Sequence, residues 1–382
     1  MLQNPFRPGF GSWPPSFVGR EHLEILFAEG LANGPGSRYF TSLVTGARGL
    51  GKTVLLAAFR DIAESEGYRT VAVDANDGML RRICRELLAL DASLKDGGSR
   101  WKAKGVRAGT ALPGVSGHVD FERTDAAVDP FGGDPMTMLK PLLEQVHSQV
   151  VDRGGAGLLL TVDEMQAASP RELERLGNDL QLIQDVAFAG AALPTITDIV
   201  FKQKGATFFS RSARFELEPL TTAESVEALC PPFDDAAISY DRPAMTRGAD
   251  ETLGYPYLVQ LLGYEIWHRL TDSESPITSE LITSSLEAAR EQAILDVLEP
   301  TWKQLSPTSR RILGLIARAP NGHASVSDLR IELGKSSSWI SVYRSRLITA
   351  GVLRSAGRGL VELTGGERAA IWIREQAEVA ED

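Results

Sequence analysis

At 382 residues the chain exceeds one ordinary domain, so two or three are expected. Hydrophobic content of 43% and charged content of 24% suit a globular protein, and a net charge of −10 argues against binding nucleic acid over the whole surface. Cys84 and Cys230 make no disulfide framework or zinc site, no run approaches ~18 apolar residues, and the first ten residues lack an apolar signal core, so a cytoplasmic, non-membrane protein is expected.

Residues 1–16 hold Pro5, Pro8, Pro14 and Pro15 with Gly9 and Gly11. So many breakers exclude regular structure and predict a segment lying across a surface. Phe17-Val18-Gly19-Arg20-Glu21 precedes an amphipathic helix over 22–31, and Asn33-Gly34-Pro35-Gly36 interrupts the chain. An apolar, β-rich run over 39–45 then reads as a buried strand.

The stretch after that strand organises the rest. Gly46-Ala47-Arg48-Gly49-Leu50-Gly51-Lys52-Thr53-Val54 fits the phosphate-binding pattern G-x-x-x-x-G-K-[ST], between a strand and a Leu/Ala-rich helix over 53–62. Glycines let backbone N–H groups wrap a phosphate. Lys52 would reach the β/γ-phosphates, and the Thr53 hydroxyl would bind Mg²⁺. The helix N-terminus also favours the anion.

A second strand is expected over 68–75 and a helix over 77–90. Residues 92–133 read as a glycine-rich insert, with alternation that suggests a β-hairpin, basic early and acidic late. After a helix over 135–151, GLLLTVDEMQ at 157–166 reads as a buried strand ending in adjacent acids. Carboxylates at that end of an open α/β sheet face the ligand crevice. Asp163 is expected to hold Mg²⁺ through water, and Glu164 to polarise the attacking water as general base.

A helix over 171–182 and a strand over 185–190 follow. After that strand no amide or hydroxyl occurs until Thr195. Arg211 and Arg214 precede a last strand over 215–217. Each is readable as an arginine finger toward a neighbouring subunit or as a surface arginine paired with an acid. From Thr221 the pattern is helical, over 222–229, 242–252, 256–270 and 278–298, and reads as a lid. Pro256 opens one of these helices, a comfortable place for proline.

The C-terminal stretch differs in charge. Residues 306–360 carry nine Arg and Lys against Asp328 and Glu332, a net of +7 on an otherwise acidic chain. Helices over 308–319, 326–333 and 337–350, then a hairpin with Gly357 and Gly359, spell a winged helix-turn-helix. Ile340, Leu347 and Ile348 share the inner face of the third helix. Ser337, Ser338, Ser341, Arg344 and Ser345 are expected outside, where short hydroxyls and arginine suit a major groove. Arg354 and Arg358 fall on or near the wing. A winged helix also serves in protein contacts.

FVGRE at 17–21, GARGLGKT at 46–53, LLLTVDE at 158–164, GYPY at 254–257 and the C-terminal module together resemble AAA+ ATPases of the replication-initiator and archaeal-ATPase type, close to the STAND signalling ATPases. The resemblance implies a P-loop parallel sheet over 1–219, a helical lid over 220–300 and a winged helix over 301–382. It implies Val18, Gly19 and Arg20 near the adenine and ribose, and Pro256 closing over the nucleotide. The family's polar residue after the fourth strand has no counterpart here, which points to slow hydrolysis. The insert also has no counterpart. No methyltransferase, nuclease or protease motif is visible.

The expected function is an ATP-binding, Mg²⁺-dependent ATPase switch. Lys52, Glu164 and Arg211 would act in catalysis, double-stranded DNA would be the partner, and ATP could drive assembly of like subunits. The alternative is a STAND-like signalling ATPase whose winged helix binds protein.

Overall fold

The computed structural model describes residues 3–9, 13–76, 78–95, 134–194, 196, 207–270, 276–357, 359–364 and 366–379. Helix α1 (Glu21–Asn33) leads to β1 (Thr41–Thr45), α2 (Lys52–Ser65), β2 (Tyr68–Asp74) and α3 (Met79–Lys95). Then come α4 (Pro135–Asp152), β3 (Gly157–Asp163), α5 (Pro170–Ile183), β4 (Val186–Ala192), α6 (Thr207–Arg211) and β5 (Ala213–Glu216).

The five strands form one parallel sheet in the order β2-β3-β4-β1-β5. Every residue of β3 and β4 is buried. That is why GLLLTVD and VAFAGAA read as continuous rather than alternating apolar runs. Alternation persists in where the side chains go. Leu158 and Leu160 join the core beneath α3, α4 and α5, whereas Leu159 joins the one beneath α1 and α2. The two faces are thus covered by different helices, and the C-terminal strand ends remain open between them.

Most predicted elements are present, with shifted ends. Helix α3 runs through Lys95, so 92–95 belong to it rather than to the insert. Its last turn is held by Asp91, which accepts from Lys95 Nζ at 2.5 Å and from Gln145 Nε2 of α4 at 2.8 Å. The hairpin expected farther on lies outside the described residues, as do Asp77 and Thr195.

The helical segment holds α7 (Thr222–Leu229), α8 (Pro231–Asp235), α9 (Arg242–Asp250), α10 (Pro256–Arg269) and α11 (Ser279–Ala293). Thr221 and Glu224 form a capping box at the start of α7. Helix α11 continues through a π-helical turn, Ile294–Leu298, into α12 (Glu299–Gln304). The short α8 and α12 were not legible, because five or six residues show no helical period.

The C-terminal segment contains α13 (Pro307–Arg318), β6 (His323–Ser325), α14 (Val326–Leu333), α15 (Ser337–Thr349), β7 (Leu353–Ser355), β8 (Leu360–Leu363) and α16 (Gly366–Val379). Its strands form an antiparallel sheet in the order β6-β8-β7. The core of this segment recruits Ile294, Leu298 and Trp302 from the preceding helices, upstream of residue 306. Among the described residues no helix is long and apolar enough to cross a membrane.

Candidate functional site

The glycine loop joins β1 to α2, with Gly49 and Gly51 in the left-handed region at φ 79° and 88°. A side chain at Gly49 would also run into the Tyr255 ring, at 2.6 Å. Both features require glycine there. Lys52, the first residue of α2, is buried, and its Nζ donates to the carbonyls of Gly46 at 3.0 Å and Ala47 at 2.9 Å. Burial pushes its ammonium below the ordinary lysine value, while Glu164 and Asp163 pull the other way.

The next residue reaches across to β3. Thr53 Oγ1 donates to Asp163 Oδ2 at 2.6 Å, and the other Asp163 oxygen accepts from Glu164 N at 2.7 Å. The two predicted metal-holding groups are therefore adjacent. Both offer hard oxygen donors, as Mg²⁺ prefers. Among the described residues no cluster of three or more His, Cys, Asp and Glu could hold a metal ion. One carboxylate and one hydroxyl instead suit a Mg²⁺ completed by phosphate oxygens and water.

Glu164 has φ 52°, an uncommon left-handed backbone for a non-glycine residue. Its carboxylate accepts from Gln166 Nε2. Gln166 Oε1 in turn accepts from Leu193 N at 2.8 Å, just past β4. Sequence reasoning found no amide after β4. The structure supplies one from the far side, because the turn after β3 swings Gln166 over to the end of β4.

A cavity of about 370 Å³ opens beside these groups. The expected residues Val18, Arg20, Arg48, Gly49, Leu50, Gly51, Lys52, Thr53, Val54, Glu164 and Pro256 line it. Gly46 and Ala47 lie beneath it as acceptors for Lys52. Gly19 is not in the lining. It takes φ 73°, and a Cβ there would come within 2.8 Å of Glu224 Oε1. Arg20 is buried, and its guanidinium donates to Gly19 O at 3.0 Å and Glu218 O at 2.7 Å. It ties the FVGRE turn to the end of β5, and burial lowers its pKa.

Several lining residues had no sequence signal. Arg7, Pro8, Gly9 and Pro14 come from the N-terminal segment, which crosses the surface as expected. Phe6 anchors it against Gly263 of α10, and Asn4 Nδ2 donates to Tyr264 O at 3.1 Å. Tyr257 and Gln260 enter from α10, and Asp296, Val297 and Pro300 from the π-helical turn and α12. Tyr257 Oη donates to Asp296 Oδ2 at 2.6 Å. Arg211 and Arg214 are not in the lining. Arg211 ends α6 and Arg214 lies in β5, both exposed.

Residues 41–196 match the model of a family described as an AAA domain, and residues 296–365 match one described as a domain of unknown function (DUF8462). A Walker-type ATPase of Pyrococcus abyssi superposes with a TM-score of 0.65 at 14% identity, over 94% of this chain and 96% of that one. The ORC2 protein of Aeropyrum pernix, solved as ADPNP–ADP complexes, gives 0.62 at 15% identity, over 98% of each chain. The fold is that of an AAA ATPase. No curated protein matches the sequence.

Beyond the AAA sheet, the C-terminal candidates sit on α15 and the hairpin. Ser337, Ser338, Ser341 and Ser345 are exposed, as expected. Arg344 is half-buried and donates through a terminal nitrogen to Ser355 Oγ at 2.8 Å. Arg354 pairs with Glu362, directly opposite it on β8, and His323 Nε2 lies 2.6 Å from the same buried carboxylate. Arg354 thus serves the sheet, which the sequence reading did not foresee. Arg358 lies outside the described residues.

Proposed function

We propose that the chain is an ATP-binding and slowly ATP-hydrolysing AAA+ switch that binds double-stranded DNA through a C-terminal winged helix. One observation carries this reading. A single cavity joins the glycine loop, Thr53 (which donates to Asp163) and Glu164 to the start of α10 and to the π-helical turn that enters the C-terminal core. A nucleotide there would touch the elements that orient the C-terminal segment.

The division into an ATPase domain over 1–219, a lid over 220–300 and a winged helix over 301–382 belongs to the same proposal. When bound, Mg²⁺ would neutralise charge on the β- and γ-phosphates. Thr53 and Asp163 would hold it. Lys52 would exchange the Gly46 and Ala47 carbonyls for phosphate oxygens, and the N-terminus of α2 would favour the anion. Glu164 would accept the proton of the attacking water, with Gln166 fixing its carboxylate. Val18, Arg20 and Pro256 would enclose the base and ribose, with Gly19 shaping the turn behind them. Arg211 would act only on a neighbouring subunit's nucleotide, since it lies outside its own cavity. The helices α13, α14 and α15 with the β6-β8-β7 sheet support the winged-helix reading, and α15 would present Ser337, Ser338, Ser341, Arg344 and Ser345 to DNA.

A second reading, a STAND-like hub whose C-terminal module binds protein, draws support from that module's surface. Arg354 is taken up by Glu362, while Ile331 and Val342 are exposed. Calorimetric titration with Mg-ATP tests the shared core of both readings. Wild type should bind and Lys52→Ala should lose most of the affinity. Equal affinity would remove Lys52, and the site built on it, from the account.

A further inference from the structure

Most of the non-loop cavity wall is apolar, with Phe17, Val18 and Leu220 among its residues, yet Gln260 also belongs to it. Gln260 belongs to the first two turns of α10, on the same side as Pro256 and Tyr257, which line the cavity too. One turn farther along, Gly263 lies beneath Phe6, so the N-terminal strap closes over this face of the helix. Gln260 is only 8% exposed, and its Oε1 is buried without a hydrogen-bond partner.

A buried, unpartnered acceptor is costly, and most such groups in proteins are satisfied. Two other polar side chains of this wall already have partners. Asp296 accepts from Tyr257 Oη at 2.6 Å and from Gln292 Nε2 at 3.0 Å. The guanidinium of Arg20 is spent on backbone carbonyls. Among the described lining residues Gln260 is the one with a buried side-chain acceptor left open, and a ligand can complete it. A carboxamide is also suited to the task, because it offers an acceptor and a donor side by side, as glutamine does on adenine edges in nucleic acids.

We propose that Gln260 reads the base of the bound nucleotide, its carboxamide oxygen accepting a hydrogen bond from the exocyclic 6-amino group of adenine. The inference rests on the nucleotide-binding reading of the cavity and adds base selectivity to it. The site prefers adenine because position 6 of adenine carries a donor, whereas position 6 of guanine carries an acceptor. Turning the carboxamide over would let Nε2 meet a guanine oxygen, so a purine with hydrogen at position 6 is the stricter probe.

The test is a chemical double-mutant cycle read by calorimetry. Wild type and Gln260→Met are each titrated with ATP and with purine riboside triphosphate, which lacks the 6-amino group. Wild type should bind ATP about tenfold or more tightly than the analogue, the scale of one hydrogen bond. Gln260→Met should weaken ATP by a similar factor and leave the analogue unchanged. A variant that weakens both ligands equally would make Gln260 a packing residue and overturn the proposal. So would a wild type that binds both alike, a comparison that needs no variant to fold. Absence of binding to either ligand by wild type would instead defeat the nucleotide-binding reading itself.

Discussion

The phenol of Tyr255 donates a hydrogen bond to the carbonyl of Arg48, in the middle of the glycine loop. The same hydroxyl faces the C-terminal module. A Cβ at Gly351, in the turn between α15 and β7, would stand 2.9 Å from it and 3.4 Å from Arg48 Cβ. Gly351 also has φ 75°, so glycine is required twice over. One buried side chain therefore bridges the glycine loop and the turn that follows α15.

This bridge yields the first prediction. Tyr255→Phe keeps the ring and removes the donor. Mg-ATP affinity should change by less than about threefold, less than a typical single hydrogen bond is worth. The effect of ATP on DNA affinity should fall away. Fluorescence anisotropy with labelled duplex, with and without Mg-ATP, reads both. An undiminished ATP effect in the variant would show that the signal travels by another route.

Glu164 and Gln166 test the catalytic step. Glu164→Gln keeps size and removes basicity, so ATP should still bind while turnover falls ~10²-fold or more. Gln166→Leu should leave ATP affinity in place and lower turnover by less, since the Glu164 carboxylate loses its fixed donor. Turnover identical to wild type would make Gln166 a structural tie between β3 and β4 alone.

The glycine loop and the Asp-Glu pair were legible because phosphate and metal chemistry dictate residue types at fixed local spacing. Gln166 was not. A glutamine in a turn carries no local signal, and its partner Leu193 comes 27 residues later. Tyr255 and Arg48 are 207 residues apart and meet only once the helical segment has packed on the sheet. Gln260 is one polar residue in a mostly apolar helix and carries no local signal. The Arg354–Glu362 pair follows from the hairpin register, which sequence alone left open. Strand order likewise required the tertiary structure, whereas the strands themselves announced their burial in continuous apolar runs.

A pH-dependent prediction rests on the capping box. Backbone and side-chain hydrogen bonds from Thr221, aided by Arg20 and His22, hold the Glu224 carboxyl below its ordinary value, against the opposing effect of burial. A lowered folded pKa stabilises the fold above the unfolded value and loses that contribution as pH falls through the folded value. Glu224→Ala should therefore cost no more than a few tenths of a kcal/mol at pH 7, the scale left to a solvent-screened carboxylate. The difference should shrink once pH drops below the ordinary carboxylate range. Chemical denaturation at pH 7 and at pH 3 checks this, and an equal difference at both would rule out the ionised carboxylate as its source.

Arg344 and Arg354, the two described arginines among the expected DNA contacts, should behave differently. Arg344→Ala should weaken duplex binding and, for a phosphate contact, flatten the salt slope by about one. Arg354→Ala should mainly lower stability, because it strips the buried Glu362 of its guanidinium partner. Anisotropy over a salt series together with thermal melting separates the two effects. Similar losses of DNA affinity from both substitutions would contradict this division.

The most direct test of the switch is duplex DNA titrated with the full-length protein at low salt, without nucleotide and with saturating Mg-ATP. The account predicts binding that weakens steeply with added salt and an affinity that changes about tenfold or more on adding ATP, the scale of a ~1.4 kcal/mol coupling between sites. Lys52→Ala should bind DNA yet ignore ATP. No DNA binding at any salt concentration, or isotherms that superimpose with and without ATP in wild type, would contradict it.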